Sequence, residues 1–253
     1  SNYQKAIFTS EVRTKPLHEL LTQLEAQGKL PIGLFKDLTL KKLHEEIAQI
    51  QETLLGFDLQ LDSLFSISLS KECRKIEQLN CGNWIAPAIE VSFENQKVHI
   101  TGTLTDLSTR GLIAKGSHHL EELIHIWPIY LIYLILQPQM NVKASLLSLK
   151  DVSCLPTEIK DPISSMQKYL SYFFYARQTI SPLKTTWAKA LLLGTQSDFE
   201  KVLTDDHQPN AARAQDVYEK WLERRGFYFD AQETWTYWSY IFKDVFSELI
   251  GSL

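Results

Sequence analysis

The feature that most constrains the fold is a change in hydrophobic period along the chain. In the first 60 residues the apolar positions recur at helical spacing, as they do at Leu40, Leu43, Ile47, Ile50 and Leu54. From residue 63, "SLFSISLS" and "AIEVSFE" alternate apolar with polar positions, which is typical of half-buried strands. The helical period returns after residue 155. This order predicts an α+β fold with a small mixed sheet flanked by helices.

Local signals predict where the helices and strands before residue 155 begin and end. A helix with four leucines on one face ("KPLHELLTQLEAQGKLP") is expected to end at Gly28, and a second one at Gly56. A meander of antiparallel strands follows, including "KVHITGTL" and "RGLIAKG". A helix over residues 118–136, capped by Ser117 and kinked at Pro128, precedes a last strand in "KASLLSLKD".

The C-terminal part is predicted to be helical. Asp161-Pro162 opens one helix, "SDFE" at residues 197–200 is a capping box for another, and "NAARAQDVYEKWLERRGF" ends a third at Gly226. Asp230 with Glu233 caps the last helix, which carries more aromatic side chains than one buried face can use. An interface there is a hypothesis. We expect a single domain over residues 1–253, with N-terminal helices (1–60), a sheet with a central helix (61–155) and a helical part (156–253).

Composition limits the classes of function. The net charge of −4 gives no overall attraction for nucleic acid, so any DNA contact must be local. Three cysteines without CxxC spacing favour a reducing, cytoplasmic compartment. The run "IHIWPIYLIYLIL" is short for a membrane span and predicts a core helix. The chain has no P-loop, and its start, Ser1-Asn2 without Met, indicates a fragment of a longer polypeptide.

The stretch "VHITGTLTDLSTRGLIAKG", residues 98–116, resembles a metal-dependent nuclease site at first sight. Such a site can be built from an Asp at the end of one strand and an acid two residues before a Lys on its neighbour. Here Thr105 and Ile113 stand where those acids are needed. Asp106 comes one residue late, which in an unbroken strand points its side chain to the opposite face, although a bulge would re-aim it. We therefore predict no catalytic and no metal-binding residue, with Asp106 and Lys115 as remnants.

Two other groups of residues are weaker candidates. Zinc ligands at helical spacing are conceivable in "SHHLEELIH", as His118 with Glu122 or Glu121 with His125, but a solvated helix start explains them better. Contacts to DNA phosphates are a hypothesis for five basic residues, for which ordinary surface charge is the alternative. They are Lys97, Arg110, Lys115, Arg224 and Arg225.

A succession of segments resembles one known family. It begins at "GKLPIGLF" and "TLKKLHEEIAQIQETL", continues through "VHITGTL" and "RGLIAKGSHHLEELIHIWPIYLIYLI", and ends with "YFFYARQTISPL" and the aromatic last helix. From about residue 28 to the C-terminus, the chain resembles the C-terminal domain of RecC, the gamma subunit of the RecBCD helicase–nuclease, exodeoxyribonuclease V.

The resemblance implies a degenerate PD-(D/E)XK nuclease-like core, similar to the nuclease domain of RecB but without its acids. It also singles out His44, because RecB-like nucleases carry a metal-binding histidine on the helix before the sheet. The implied function is a non-catalytic DNA-binding scaffold in double-strand-break repair and homologous recombination, with RecB, RecD and DNA as partners and no cofactor. The alternatives are a metal-dependent nuclease that uses Asp106 and Lys115, and a helical adaptor without DNA contact.

Overall fold

The computed structural model of the chain describes residues 22, 25–28, 34–79, 82–93, 96–116, 119–150, 153–156, 159–178, 185–207, 224–226 and 230–251. Its contacts divide the chain into two compact units. The sheet unit comprises Ser1–His118 and Ile129–Glu158, and the helical unit comprises His119–Pro128 and Ile159–Leu253. The single domain expected over residues 1–253 stays a prediction.

The sheet unit has a long helix, α1 (Leu34–Gly56), which ends at the predicted residue but is capped by another one. Gly56 is the last residue of the helix, and Asp58 takes the left-handed conformation after it, with φ of 54°. The amide of Leu59 donates to the carbonyl of Leu54, and the amide of Asp58 donates to the carbonyl of Leu55, both at 2.9 Å. This pattern is a Schellman cap, and aspartate is one of the few residues besides glycine that tolerate its backbone geometry.

The helix predicted before α1 lies mostly outside the described residues, including its four leucines. Thr22, Glu25 and Ala26 are helical where the structure describes them, and Gly28 has a φ of 65°. The amide of Gly28 donates to the carbonyl of Glu25 at 2.9 Å. A glycine in this conformation is the usual helix stop, as the sequence predicts at this position.

Nine strands are described, and seven of them form one mixed sheet. The strands are β1 (Phe65–Ser70), β2 (Glu77–Gln78), β3 (Trp84–Pro87), β4 (Ile89–Phe93), β5 (Gln96–Ile100), β6 (Gly102–Ser108), β7 (Gly111–Ala114), β8 (Ser145–Ser148) and β9 (Ser153–Pro156). The order in the sheet is β2-β3-β1-β6-β7-β8-β9.

The pairing confirms a mixed α+β sheet but corrects the continuous antiparallel meander. Strand β1 is parallel to β3 and antiparallel to β6, and β7 is parallel to β8. Strands β4 and β5 pair with each other in a separate two-stranded sheet. The segment "KVHITGTL" therefore contributes to both sheets, because it is divided at Thr101 between β5 and β6.

The core of the sheet unit joins α1 to the central strands. Leu54 and Leu59 form a buried cluster with Leu64, Ile113 and Leu147, and Ile47 and Ile50 of α1 pack against it. The apolar face that the helical period predicts is thus the face that covers the sheet. Strand β7 is buried over its whole length, which explains why "GLIA" is apolar rather than alternating.

Gly111 is required where β7 passes β8. Its φ is 149°, and a Cβ atom there would lie 2.2 Å from the carbonyl oxygen of Ser145. The neighbouring turn is fixed by the fully buried Ser108, whose hydroxyl donates to the carbonyl of Gly111 and accepts from the amides of Arg110 and Gly111. The parallel pairing of β7 and β8 therefore depends on a residue without a side chain.

Helix α2 (Leu120–Met140) connects β7 to β8. It ends at Met140 rather than at residue 136, and the predicted cap at Ser117 lies outside the described residues. The segment Glu122–Met140 is long and apolar enough to cross a membrane by length and composition. However, 50% of an 18-residue stretch within it is buried in the structure, as in a core helix. A kink at Pro128 stays a prediction.

The helical unit contains α3 (Pro162–Gln178), α4 (Thr185–Leu193), α5 (Gln196–His207), α6 (Ala231–Val245) and α7 (Ser247–Ile250). Helix α6 packs against α3, α4 and α5. Aromatic rings meet in these contacts: the rings of Tyr172 and Phe242 lie 5.4 Å apart, and those of Phe199 and Trp235 lie 6.3 Å apart. Trp238, Phe242 and Phe246 are buried, whereas Tyr237 and Tyr240 are exposed.

Two of the predicted helix starts are confirmed. A carboxylate oxygen of Asp161 accepts from the amides of Ile163 and Ser164 at the start of α3. A carboxylate oxygen of Asp230 accepts from the amide of Glu233 at 2.8 Å at the start of α6. The last helix is divided at Phe246 into α6 and α7.

The capping box of α5 lies two residues before the predicted one. The amide and hydroxyl of Thr195 donate to a carboxylate oxygen of Asp198, and the amide of Asp198 donates to the hydroxyl of Thr195. The pair is therefore Thr195 with Asp198 instead of Ser197 with Glu200. The helix predicted in "NAARAQDVYEKWLERRGF" lies outside the described residues except for 224–226.

Candidate functional site

A β-bulge in β6 determines where the one available acid points. Ile67 of β1 pairs with Leu104, and Phe65 pairs with Leu107, so two steps along β1 oppose three steps along β6. The irregular part of β6, between Leu104 and Leu107, includes Asp106, whose φ of 63° lies in the left-handed region. A bulge of this kind bends the strand and redirects the side chain at the irregular position.

The bulge brings Asp106 to Lys115. The carboxylate oxygen Oδ2 of Asp106 lies 3.7 Å from Nζ of Lys115, and it accepts a hydrogen bond of 3.0 Å from the hydroxyl of Thr105. Asp106 therefore does not point to the opposite face, as an unbroken strand would require. The Asp106 side chain is 12% exposed and that of Lys115 is 41% exposed, so the pair is open mainly on the lysine side.

Ile113 lies where the second acid of a nuclease pair is needed. It is 3% exposed and packs in the core cluster with Leu54 and Leu147. Thr105 is exposed, and its hydroxyl donates a hydrogen bond to the carboxylate of Asp106. Among the described residues there is no group of three or more His, Cys, Asp and Glu side chains that could hold a metal ion. The strand pair thus offers one carboxylate and one ammonium group, which form an ion pair.

Two of the basic residues predicted to contact DNA, Arg110 and Lys115, flank opposite ends of β7. Arg110 lies at the start of β7 and Lys115 directly after its end, a separation of about 16 Å at strand spacing. Nη2 of Arg110 is 2.7 Å from a carboxylate oxygen of Asp58, which ties the β6–β7 turn to the end of α1. Lys97 belongs to the separate β4–β5 hairpin, where its Nζ is 2.7 Å from Glu90.

The pairing of Lys97 with Glu90 also has an electrostatic signature. The hydrogen bond from the Lys97 ammonium group holds the pKa of the Glu90 carboxyl below its usual value. Arg224 and Arg225, the other two basic candidates, are exposed in the helical unit. Contact of the five residues with DNA stays a prediction.

Of the histidine candidates, His44 lies on α1 and His125 lies on α2. His44 is exposed on α1, and its Nδ1 lies 2.7 Å from the carbonyl oxygen of Leu40, one turn earlier in the same helix. His118 and the side chain of Glu121 lie outside the described residues. The carbonyl of His119 accepts from the amide of Glu122 at the start of α2. His125, one turn further on, lines a pocket of the helical unit.

That pocket is the feature that sequence reasoning missed. It has a volume of about 290 Å³ and lies among the first part of α2, α3, α4 and the C-terminal end of the chain. We call it the aromatic pocket and define it by Tyr169, Tyr172, Phe173, Arg177 and His125. The signal was present in "YLSYFFYAR" of α3, which carries more rings than one buried face can use.

The fold and the strand pair define a class: an α+β sheet domain in which an acid of β6 and a lysine directly after β7 form an ion pair beside a buried core residue. The family model of the RecC C-terminal domain matches residues 2–225. The chain belongs to the RecC C-terminal domain family. The match starts before residue 28 and ends before α6 and α7. The comparison with curated proteins gave no match.

Membership in this family implies a role in the RecBCD complex, a DNA-repair assembly with exonuclease and helicase activity of which RecC is the gamma subunit.

Proposed function

We propose that this chain is a non-catalytic DNA-binding and scaffold domain of a cytoplasmic RecBCD-type complex. In this role it supports splitting of the duplex, guides the separated strands and contacts the RecB and RecD subunits. Its sheet is the degenerate form of a PD-(D/E)XK nuclease core. Family membership supports the complex, and the geometry of β6 and β7 supports the loss of catalysis.

The observation that carries this proposal is the burial of Ile113. A magnesium-dependent nuclease needs carboxylates that share the ion, because Mg²⁺ prefers several hard oxygen ligands. At the position two residues before Lys115, the side chain is apolar and belongs to the core between α1 and the sheet. Asp106, the remaining acid on this strand pair, is engaged with Thr105 and Lys115. This donor set does not fit a catalytic metal.

One observation favours the second candidate, a metal-dependent nuclease with a rearranged site. The bulge re-aims Asp106 toward Lys115, so that an acid and a lysine meet at the strand ends. A lysine there would stabilise charge that develops on a phosphate. The single carboxylate weighs against this candidate, because it would hold Mg²⁺ weakly on its own.

A cleavage assay separates the two candidates. The protein is incubated with single-stranded and forked DNA in Mg²⁺ and then in Mn²⁺, beside an Asp106→Asn, Lys115→Gln double variant as the matched control. We expect no cleavage above background by either protein. Cleavage that the double variant lacks would establish the rearranged nuclease and overturn the proposal.

A binding assay separates the DNA-binding scaffold from a purely structural adaptor. We expect the affinity for forked DNA to fall as salt rises, because each neutralised phosphate releases counterions. No affinity at low salt would favour the adaptor and contradict the DNA-binding part of the proposal.

A further inference from the structure

The aromatic pocket of the helical unit combines aromatic rings with a cationic group. Tyr169, Tyr172 and Phe173 of α3 supply the rings, together with Phe246 near the C-terminus. Arg177 of α3 and His125 of α2 supply nitrogen donors at the same pocket. Its volume of about 290 Å³ is at the lower end of the range for small-molecule sites, which suits one flat ring system rather than an extended ligand.

The inner wall of the pocket is held by packing. The ring of Tyr172 lies 5.4 Å from that of the buried Phe242, edge-on at 73°, and 6.3 Å from the ring of Tyr169. Burial raises the pKa of the Tyr169 hydroxyl, so this group stays protonated at neutral pH. A ligand would therefore meet rings that are already in position, which lowers the entropy lost on binding.

The rim of the pocket is exposed to solvent. The side chain of Phe173 is 42% exposed, although burial would stabilise an aromatic side chain of this size. The guanidinium carbon of Arg177 lies 5.9 Å from the centroid of the Phe173 ring, within the range of a cation–π contact. The positive charge of Arg177 thus lies over the Phe173 ring at the rim of the pocket.

The charge of the pocket differs from that of the whole chain. The net charge of the chain is −4. Among the described residues that line the pocket, however, none is Asp or Glu, whereas Arg177 carries a positive charge. The pocket therefore complements a ligand that joins a flat apolar ring to a negative group. An unpaired nucleotide has both parts, and an apolar side chain of a protein partner has only the first.

We propose that the aromatic pocket binds one unpaired nucleotide of single-stranded DNA, with the base against Phe173 and its phosphate near Arg177. This inference rests on the proposed function, because it assumes that the chain contacts DNA, and it adds a site and a preference for single strands. A base within a duplex has both faces covered by its neighbours. Only an unpaired base can stack on a protein ring, so the pocket discriminates between the two forms of DNA.

The test measures the affinity of a labelled oligothymidylate by fluorescence anisotropy for the protein and two pocket variants. Stacking of one base on an aromatic ring contributes about 1–3 kcal/mol, so we expect Phe173→Ala to weaken binding roughly tenfold or more. Arg177→Gln should reduce the slope of log affinity against log salt by about 0.7, the value for one phosphate of a single strand. Replacing the bases by abasic sites should remove the difference between Phe173→Ala and the unmodified protein.

Two matched controls test whether any exposed apolar side chain has the same effect. Ile163→Ala removes an exposed residue from the same helix, outside the pocket. Tyr240→Ala removes an aromatic ring that is 77% exposed on α6. We expect both variants to bind the oligonucleotide as the unmodified protein does. Because Phe173 is at the rim, its replacement should leave the unfolding temperature within a few degrees of the starting value.

The outcomes distinguish this inference from the function on which it rests. If Phe173→Ala binds like the controls while forked DNA is still bound, the pocket is not the site and the proposed function stands. If the unmodified protein binds neither oligothymidylate nor forked DNA, both proposals fail. If Phe173→Ala weakens assembly with the partner subunits and not oligonucleotide binding, the pocket takes a protein side chain and the inference is overturned.

Discussion

The β6–β7 strand pair and the aromatic pocket are opposite in construction. In the strand pair, the polar groups bind one another: Asp106 is engaged with Thr105 and Lys115, and the side chain of Ile113 beside them is buried in the core. In the pocket, ring faces and Arg177 are open to solvent. The first region holds an acid and a lysine that are engaged with each other, whereas the second presents aromatic rings beside a cationic group.

The largest expected effect concerns the β6–β7 strand pair. Gly111→Ala places a Cβ atom 2.2 Å from the Ser145 carbonyl oxygen at a φ of 149°, so both a clash and backbone strain oppose folding. We expect the free energy of unfolding to fall by about 3 kcal/mol or more, as urea denaturation would measure.

The matched control for this change is Gly102→Ala in β6. Gly102 also has a positive φ, of 134°, but nothing lies within 4 Å of the added Cβ atom. This variant carries only the backbone strain, about 1–3 kcal/mol. Equal losses for the two variants would mean that the close approach of β7 to β8 contributes nothing.

The next effect tests whether an acid is tolerated at position 113. Ile113→Glu introduces a carboxylate into the apolar cluster with Leu54 and Leu147. We expect a loss of about 3 kcal/mol or more and no gain of Mg²⁺-dependent cleavage, because a buried charge without a partner is strongly unfavourable. Ile113→Val should cost only about 1 kcal/mol. A stable, Mg²⁺-binding Ile113→Glu protein would show that this position reaches an open cleft.

A smaller effect is expected for the ion pair itself. A double-mutant cycle with Asp106→Asn and Lys115→Met measures the coupling between the two side chains, and asparagine keeps the tolerance for a left-handed backbone. Since Lys115 is substantially exposed, the coupling should be below about 1 kcal/mol and should decrease as salt is added. A larger coupling that salt does not change would mean that the pair is more enclosed than its geometry indicates.

The smallest effect is a pH response in the helical unit. Hydrogen bonds from the amide and hydroxyl of Thr195 hold the pKa of the exposed Asp198 carboxyl below its ordinary value of 3.8. A lowered folded-state pKa stabilises the protein above the unfolded-state pKa, and this contribution is lost as the pH falls through the folded value. NMR titration should show Asp198 titrating below 3.8, and Thr195→Ala should raise its pKa. An unchanged pKa in that variant would contradict the assignment of the cap.

Much of the fold was predictable because its signals are local. The change of hydrophobic period separates helices from strands, and the caps at Asp161 and Asp230 involve side chains within three residues of the amides they bind. The parallel pairing of β1 with β3 was not predictable, because it joins segments whose patterns carry no record of direction. The same is true of the β4–β5 pair, which reads as two more strands of one meander.

The candidate site shows a different limit. The sequence shows Thr105 and Ile113 where a nuclease site would need acids. It also places Asp106 one residue late, and the face to which the Asp106 side chain points depends on whether the strand has a bulge. The bulge at Asp106 depends on the register between β1 and β6, a long-range property. The aromatic pocket depends on which rings of α3 face α2 and α4. The sequence shows which aromatic residues α3 carries but not the directions of their rings.

The close approach of Gly111 to Ser145 also has a consequence for the order of folding. The β6–β7 turn joins neighbouring residues and can form early, whereas β8 can reach β7 only after the intervening α2 crossover has been traversed. Long-range parallel pairing is slow, because the entropy of closing the loop is lost before any contact forms. We expect this pairing to be absent from the folding transition state, so that Gly111→Ala accelerates unfolding much more than it slows refolding.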